Sequence, residues 1–153
     1  MELFATDNPV FRTYLIAVAL TVLKVMGQGW MTVYRMNRSN AGLASPEDLR
    51  PGAYNRAPDP KQLEVNDYVD RSRRIHRNDL ENIPAFWAVG IAMVAVAPPL
   101  WLAQVLMYGF VAARYLHTVA YATAQSHEVR SVPYTVGSLI VIGMALYVLF
   151  ALF

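Results

Sequence analysis

Four apolar stretches, each long enough to cross a lipid bilayer, constrain this chain more than any other feature. A hydrocarbon core of ~30 Å needs about 20 mostly apolar residues in a helix. Such stretches run over about 10–35, 73–97, 100–124 and 129–153. The first, about 39 Å long as a helix, should project past the membrane. A backbone in hydrocarbon must satisfy its own polar groups, so these stretches read as helices. Pro98-Pro99 ends the second stretch, because two prolines cannot continue a helix, and makes the second and third an antiparallel hairpin. The expected fold class is an all-α integral membrane protein, a four-transmembrane-helix bundle forming one domain over residues 1–153. Composition points the same way: 56% of residues are hydrophobic and 16% charged, against about 45–50% and about 25% in soluble domains. The start, Met1-Glu2-Leu3-Phe4-Ala5-Thr6-Asp7, is acidic and precedes a long apolar run, which argues for a first span rather than a cleaved signal.

The basic residues orient the bundle. Arg35, Arg38, Arg50, Arg56, Lys61, Arg71, Arg73, Arg74 and Arg77 lie between the first two spans, nine of thirteen Lys and Arg. The positive-inside rule places that loop, residues 36–72, in the cytosol and both termini opposite. The expected location is multi-pass, in the endoplasmic reticulum membrane or a bacterial inner membrane. Ser45-Pro46-Glu47-Asp48 has a capping serine, a first-turn proline and acids at the positive helix end, and predicts a short helical segment in the loop. Membrane lipids are expected partners, with Arg71 and Arg73 as headgroup anchors. The net charge of +2 with no basic soluble face gives no support to nucleic acid as a partner.

Several chemistries drop out. The chain has no cysteine, so it has no disulfide, thiolate metal site or thiol nucleophile of its own. His76, His117 and His127 lack the close spacing of a zinc site. No Ser-His-Asp pattern, phosphate-binding glycine loop or dinucleotide fingerprint is present.

What remains is a set of polar residues within the spans. A charge at the centre of a membrane helix costs about 2.5–3.5 kcal/mol on the insertion scale, so the survivors usually face the bundle interior. In the second span Arg74, Arg77, Asn78 and Glu81 fall in one helical stripe. In the third, Arg114, His117 and Tyr121 share a face. In the fourth, Arg130 and Tyr134 are one turn apart with Ser131 beside them. Each basic residue or tyrosine alone is an ordinary interfacial anchor, but anchors need no periodic alignment, no Asn and no Glu. All three stripes lie at the cytosolic depth and together suit a small anionic ligand that also carries an ammonium group. Lys24 and Gln28, one turn apart in the first span, read as a structural hydrogen-bonding pair. Gly27, Gly29, Gly137 and Gly143 offer close helix contact.

The strings Arg73-Arg74-Ile75-His76-Arg77-Asn78-Asp79-Leu80-Glu81-Asn82-Ile83, Arg114-Tyr115-Leu116-His117-Thr118-Val119-Ala120-Tyr121 and Arg130-Ser131-Val132-Pro133-Tyr134-Thr135 resemble the MAPEG family. Its members are membrane-associated proteins of eicosanoid and glutathione metabolism. The likeness runs over nearly the whole chain and is greatest to the prostaglandin E synthase and glutathione transferase branches. Ala44-Ser45-Pro46-Glu47-Asp48 is similar to a family loop motif that has Asn in place of Ser. The resemblance implies a homotrimer binding glutathione as cofactor between neighbouring subunits. The implied glutathione-binding residues are Arg35, Arg77, Asn78, Glu81, His117, Tyr121 and Tyr134, with Arg38 a rival to Arg35, and Arg74 joins them as a member of the same second-span stripe; Arg130, Ser131 and Asp48 are the implied catalytic residues. Three departures bear on the second substrate: Pro84 comes one place earlier than in the family pattern, and Pro133 and Ser138 stand where the prostaglandin E synthase branch has Thr and Gln.

A chain without cysteine needs a thiol from outside, and a free thiol, with a pKa of about 8.5, is mostly protonated at neutral pH unless cations lower it. The expected activity is a glutathione-dependent membrane enzyme that turns the thiolate on lipophilic electrophiles or lipid hydroperoxides, as a transferase and peroxidase. Such a substrate would enter from the bilayer. One alternative is a prostaglandin E synthase-type endoperoxide isomerase, favoured by Ser131 and Asp48. The other is a non-catalytic lipid-binding scaffold, whose branch lacks much of the arginine set kept here.

Overall fold

Residues 3–153 are described by a computed structural model. Helices α1 (Pro9–Ser39), α2 (Asp67–Ala95), α3 (Leu100–Ala122) and α4 (His127–Ala151) form an antiparallel bundle. The loop between α1 and α2 holds two short 3-10 turns, Pro46–Leu49 and Pro60–Leu63. Around the bundle the order is α1, α2, α4, α3, with α2 and α3 also meeting across the middle. The core is apolar: Phe86 and Phe110 stack at 4.2 Å among buried Ile83, Met93, Met107 and Met144. Helices α1 and α4 are each long and apolar enough to cross a membrane. Helices α2 and α3 are interrupted by the polar residues described below, which lowers their apolarity but not their length.

Local chemistry sets the helix ends. Helix α1 opens on Asn8, whose side chain accepts from the Val10 N–H, and closes on Asn40 in the left-handed region at φ 47°. Helix α2 starts at Asp67, upstream of the expected position near residue 73. Asn66 caps it, accepting from the Val69 N–H, and Asp67 and Asp70 sit at the positive helix end. Asp70 also binds Arg73, whose guanidinium donates to the Gly42 carbonyl and ties the loop down. The predicted segment near Ser45 is the first 3-10 turn, where the Asp48 carboxylate accepts from the Ser45 N–H at 3.3 Å. The second turn has the same bond, from the Asp59 N–H to Gln62 Oε1 at 3.2 Å, and the Asp59 carboxylate also accepts from the Lys61 N–H.

A short turn carries α3 into α4 and positions the site. Ala124 takes φ 57°, the Gln125 N–H donates to the Ala120 carbonyl at 3.0 Å, and the Ala124 N–H to that of Tyr121 at 3.1 Å. That paired bonding closes a helix with one left-handed residue, normally glycine. Ser126 then caps α4, accepting from the Val129 N–H.

The bundle's centre is not wholly apolar. Lys24 of α1 and Arg114 of α3 converge on Asp79 of α2. Arg114 Nε and Nη2 donate to Asp79 Oδ1 at 3.2 and 2.8 Å, and Lys24 Nζ donates to Oδ2. Asp79 and Arg114 are fully buried. Gln28, one turn along from Lys24, donates to Ser72 Oγ at 2.7 Å, so the polar pair in α1 plugs into α2 as expected. Arg114, which the sequence places in the ligand-facing stripe, is here first a partner of Asp79.

One glycine in the bundle is required by packing: a Cβ on Gly90 would meet the Tyr14 ring at 2.7 Å, whereas one on Gly137 would make an ordinary contact with Arg114 Cδ at 3.6 Å. The expected close contact does not arise at Gly27, Gly29 or Gly143, which face open space within this chain.

Removing the single anion of a buried ionic cluster leaves uncompensated charge, a loss of about 3–5 kcal/mol. Asp79→Asn is therefore expected to unfold at a much lower temperature than the parent in a detergent melt. Arg114→Met leaves Lys24 and Asp79 as a matched pair and should lose less. Because a left-handed Ala costs roughly 1–2 kcal/mol that Gly avoids, Ala124→Gly should raise the melting temperature.

Candidate functional site

At the end of the bundle that carries the α1–α2 loop, α2, α3 and α4 enclose a cavity of about 170 Å³. It is lined by Asn78, His117, Tyr121, His127, Arg130, Ser131 and Tyr134. Helical spacing explains the convergence: His117 and Tyr121 are one turn apart on α3, and Arg130 and Tyr134 one turn apart on α4. The aromatic rings form one wall, with the His117 ring 4.9 Å from Tyr121 and 5.9 Å from Tyr134. The Arg130 guanidinium lies 4.6 Å over the Tyr121 ring and its Nε donates to the Ser126 carbonyl at 3.3 Å. Asn78 Nδ2 reaches the Tyr121 hydroxyl at 3.4 Å. Ser131 Oγ donates to the Glu128 carbonyl at 2.9 Å.

The electrostatics favour an anion. Arg130 and Ser131 stand near the start of α4, whose unpaired N–H groups carry the positive end of the helix dipole. No carboxylate lines the cavity. A wider recess of about 540 Å³, lined by Asp67, Arg71, Arg74, Tyr121, Ala124, Gln125 and Arg130, shares Tyr121 and Arg130 with it. Asp67 holds both arginines there, with Arg71 Nη2 at 2.5 Å and Arg74 Nη2 at 2.6 Å. Hydrogen bonds from Arg74 and then Arg71 hold its carboxyl below the ordinary carboxylate range. Its contribution to stability is therefore present at neutral pH and lost as pH falls through that lowered value.

Other residues predicted for the site stand elsewhere. Arg77 and Glu81 are exposed. Arg77 lines an α1–α2 groove with Arg73 and His76, because the cavity between α3 and α4 admits only the Asn78 edge of the α2 stripe. Arg35 is buried against its own chain: Nη1 donates to the Tyr68 carbonyl at 3.0 Å and the guanidinium lies 4.6 Å over the Tyr68 ring. Arg38 is exposed and bonded to the Tyr34 hydroxyl at 2.9 Å. Asp48 is exposed in the loop and does not line the cavity.

Two features were not singled out from the sequence. One is Asp79, at the hub of the ionic cluster; an Asp within the second span but off its polar stripe, with Lys24 and Arg114 in neighbouring spans, was the available signal. The other is a link between α2 and α4, where Ser138 Oγ donates to Asn82 Oδ1 at 2.9 Å and Asn82 Nδ2 donates to the Asn78 carbonyl at 3.1 Å. It lies one turn deeper than Asn78 and Tyr134 and engages Ser138, one of the noted departures. Beside the polar cavity, on the outer side of α3 and α4, runs an apolar groove of about 810 Å³ lined by residues that include Leu116, Val132 and Val136. Among the described residues, no group of three His, Cys, Asp or Glu is arranged to hold a metal ion.

Known proteins are similar to this chain in sequence. The chain is 31% identical to microsomal glutathione S-transferase 1 of Rattus norvegicus over 140 residues, 91% of this chain and 88% of the relative. It is 33% identical to the Homo sapiens protein of the same name over 141 residues, 91% and 88% of the two chains. It is 32% identical to prostaglandin E synthase of Macaca fascicularis over 146 residues, 95% and 91%. The profile of the MAPEG family matches residues 13–150, and with that coverage the chain belongs to the MAPEG family.

Proposed function

We propose that this protein is a four-span membrane enzyme that binds glutathione and presents its thiolate to lipophilic electrophiles or lipid hydroperoxides. The observation that carries the reading is the convergence of Arg130, Ser131, Asn78, His117, Tyr121 and Tyr134 on one cavity in a chain without a thiol of its own. The family and the transferase relatives support it.

The cavity takes the cysteinyl part of the tripeptide and the wider recess takes a carboxylate. Arg130 and the α4 dipole favour the thiolate over the thiol, so the proton leaves to solvent. Ser131 is a donor to sulfur once its hydroxyl turns away from the Glu128 carbonyl. Arg74 binds a carboxylate of glutathione in exchange for Asp67. The thiolate then forms a carbon–sulfur bond with an electrophile, either expelling its leaving group as an anion or adding to an activated double bond whose carbanion takes a proton from solvent. With a hydroperoxide, it takes the terminal oxygen and releases an alcohol, and a second glutathione converts the sulfenic product to disulfide and water. The apolar acceptor comes from the bilayer.

A homotrimer, with the large loop cytosolic, fits the residues left outside the cavity. Arg77 and Glu81 project from the bundle, where lipid is a poor environment for charge and a second copy is a good one. They are assigned to glutathione held between subunits, Glu81 to the amine and Arg77 to a carboxylate. Exposed Arg38 suits the contact from the adjacent subunit better than Arg35, which is committed to Tyr68. A prostaglandin E synthase-type isomerase is the second reading. Ser131 lining the cavity and the synthase relatives favour it; in that reaction the thiolate opens an endoperoxide and glutathione is returned.

The test is titration of detergent-purified protein with glutathione, following thiolate by ultraviolet difference absorbance. A saturable signal is expected, and Arg130→Ala should lose at least about tenfold of it, the scale of a charge-assisted bond. Absence of thiolate in folded parent protein would reject the reading. Asp67→Asn frees Arg74 and should tighten glutathione binding roughly threefold, as expected for an exposed pair. Product analysis with a prostaglandin endoperoxide separates isomerase from transferase.

A further inference from the structure

The ionic cluster continues into the cavity through one contact. Arg114 Nη2, already donating to Asp79, also lies 3.3 Å from His117 Nδ1. Arginine is a donor only and stays protonated in proteins, so a hydrogen bond between these nitrogens requires an unprotonated, accepting Nδ1. A neutral imidazole with Nδ1 free carries its proton on Nε2. His117 is 1% exposed and lines the cavity, so that Nε2–H is directed among the cavity-lining groups.

We infer that Arg114, held by Asp79 and through it by Lys24, is a positioning residue that locks His117 as an Nε2–H donor to the ligand in the cavity. The inference rests on the glutathione reading for the ligand's identity, but the lock is a property of the free protein. The ionisable groups around the ring are Arg114 and Tyr121 of α3, Asp79 of α2, Lys24 of α1, and His127, Arg130 and Tyr134 of α4. Helices α1, α2 and α3 thus share in fixing one tautomer. A second feature separates this role from simple charge balance. Lys24 and Asp79 already match one to one, so Arg114 is surplus to neutrality, and its Nη1 has no partner among the described residues.

The test is the side-chain ¹⁵N spectrum of histidine-labelled protein in nanodiscs at neutral pH without glutathione, with His76 and His127 assigned by substitution. For the parent, a single His117 species with a bare Nδ1 and a protonated Nε2 is expected. For Arg114→Met, appearance of the Nδ1–H tautomer or exchange between the two is expected. A protonated Nδ1 in the parent overturns the inference, and so does an unchanged His117 spectrum in folded Arg114→Met. The parent spectrum decides even if the variant does not fold. Glutathione affinity supplies the second measurement. His117→Gln, whose amide N–H stands near Nε2, should bind within a few-fold of the parent, and His117→Phe should lose about tenfold. Arg114→Met added to His117→Phe should cost nothing further. Additive losses would mean that Arg114 acts independently of His117, and would also overturn the inference. Absence of any glutathione binding rejects the proposed function and leaves the spectrum to judge the lock.

Discussion

A carboxylate buried in a membrane bundle has to be matched, and much of this structure follows from how Asp79 is matched. Its two oxygens face different helices, Lys24 on one side and Arg114 on the other. That fixes the rotation of α1, α2 and α3 about their axes. Once α3 is set by Arg114, His117 and Tyr121 must face α4, and α4 brings Arg130, Ser131 and Tyr134 to meet them. An apolar core can slide by a methylene at modest cost, while a misplaced buried charge is expensive. The cluster therefore holds the register on which the polar cavity is built.

The rest divides the site by phase. Polar groups line the cavity at the loop end, while the outer side of α3 and α4 carries an apolar groove. The Asn82–Ser138 link stands at the deep end of the polar set. The short Ser138 side chain is tied to α2 through Asn82 and marks the boundary between the polar and apolar compartments.

Much of this was legible in the sequence, for identifiable reasons. The helices follow from apolar length and from Pro98-Pro99, and helical spacing alone grouped His117 with Tyr121 and Arg130 with Tyr134. The start of α2 was not, because Asn66, Asp67 and Asp70 make its first turn polar, and a search for apolar length overlooks a capped extension. Arg114 read as a ligand residue because spacing gives a face but not a partner; only the packing reveals that Asp79 reaches it first. Arg35 and Arg38 pose the same problem at the end of α1. Three positions apart, they occupy similar faces, and Tyr68 decides which is buried. Glu81 and Arg77 share the α2 stripe with Asn78 but stand exposed, because spacing groups a stripe without saying which edge of it the cavity admits.

The cluster of Lys24, Asp79 and Arg114 holds two cations and one anion. Its excess positive charge sits behind the cavity wall, out of reach of mobile ions. Screening at physiological ionic strength acts over about 8 Å of solution and weakens exposed pairs such as those of Asp67, but buried charges far less. The cavity therefore has two electrostatic regimes: an outer rim whose pull fades with added salt, and an inner bias toward anions that salt leaves largely in place.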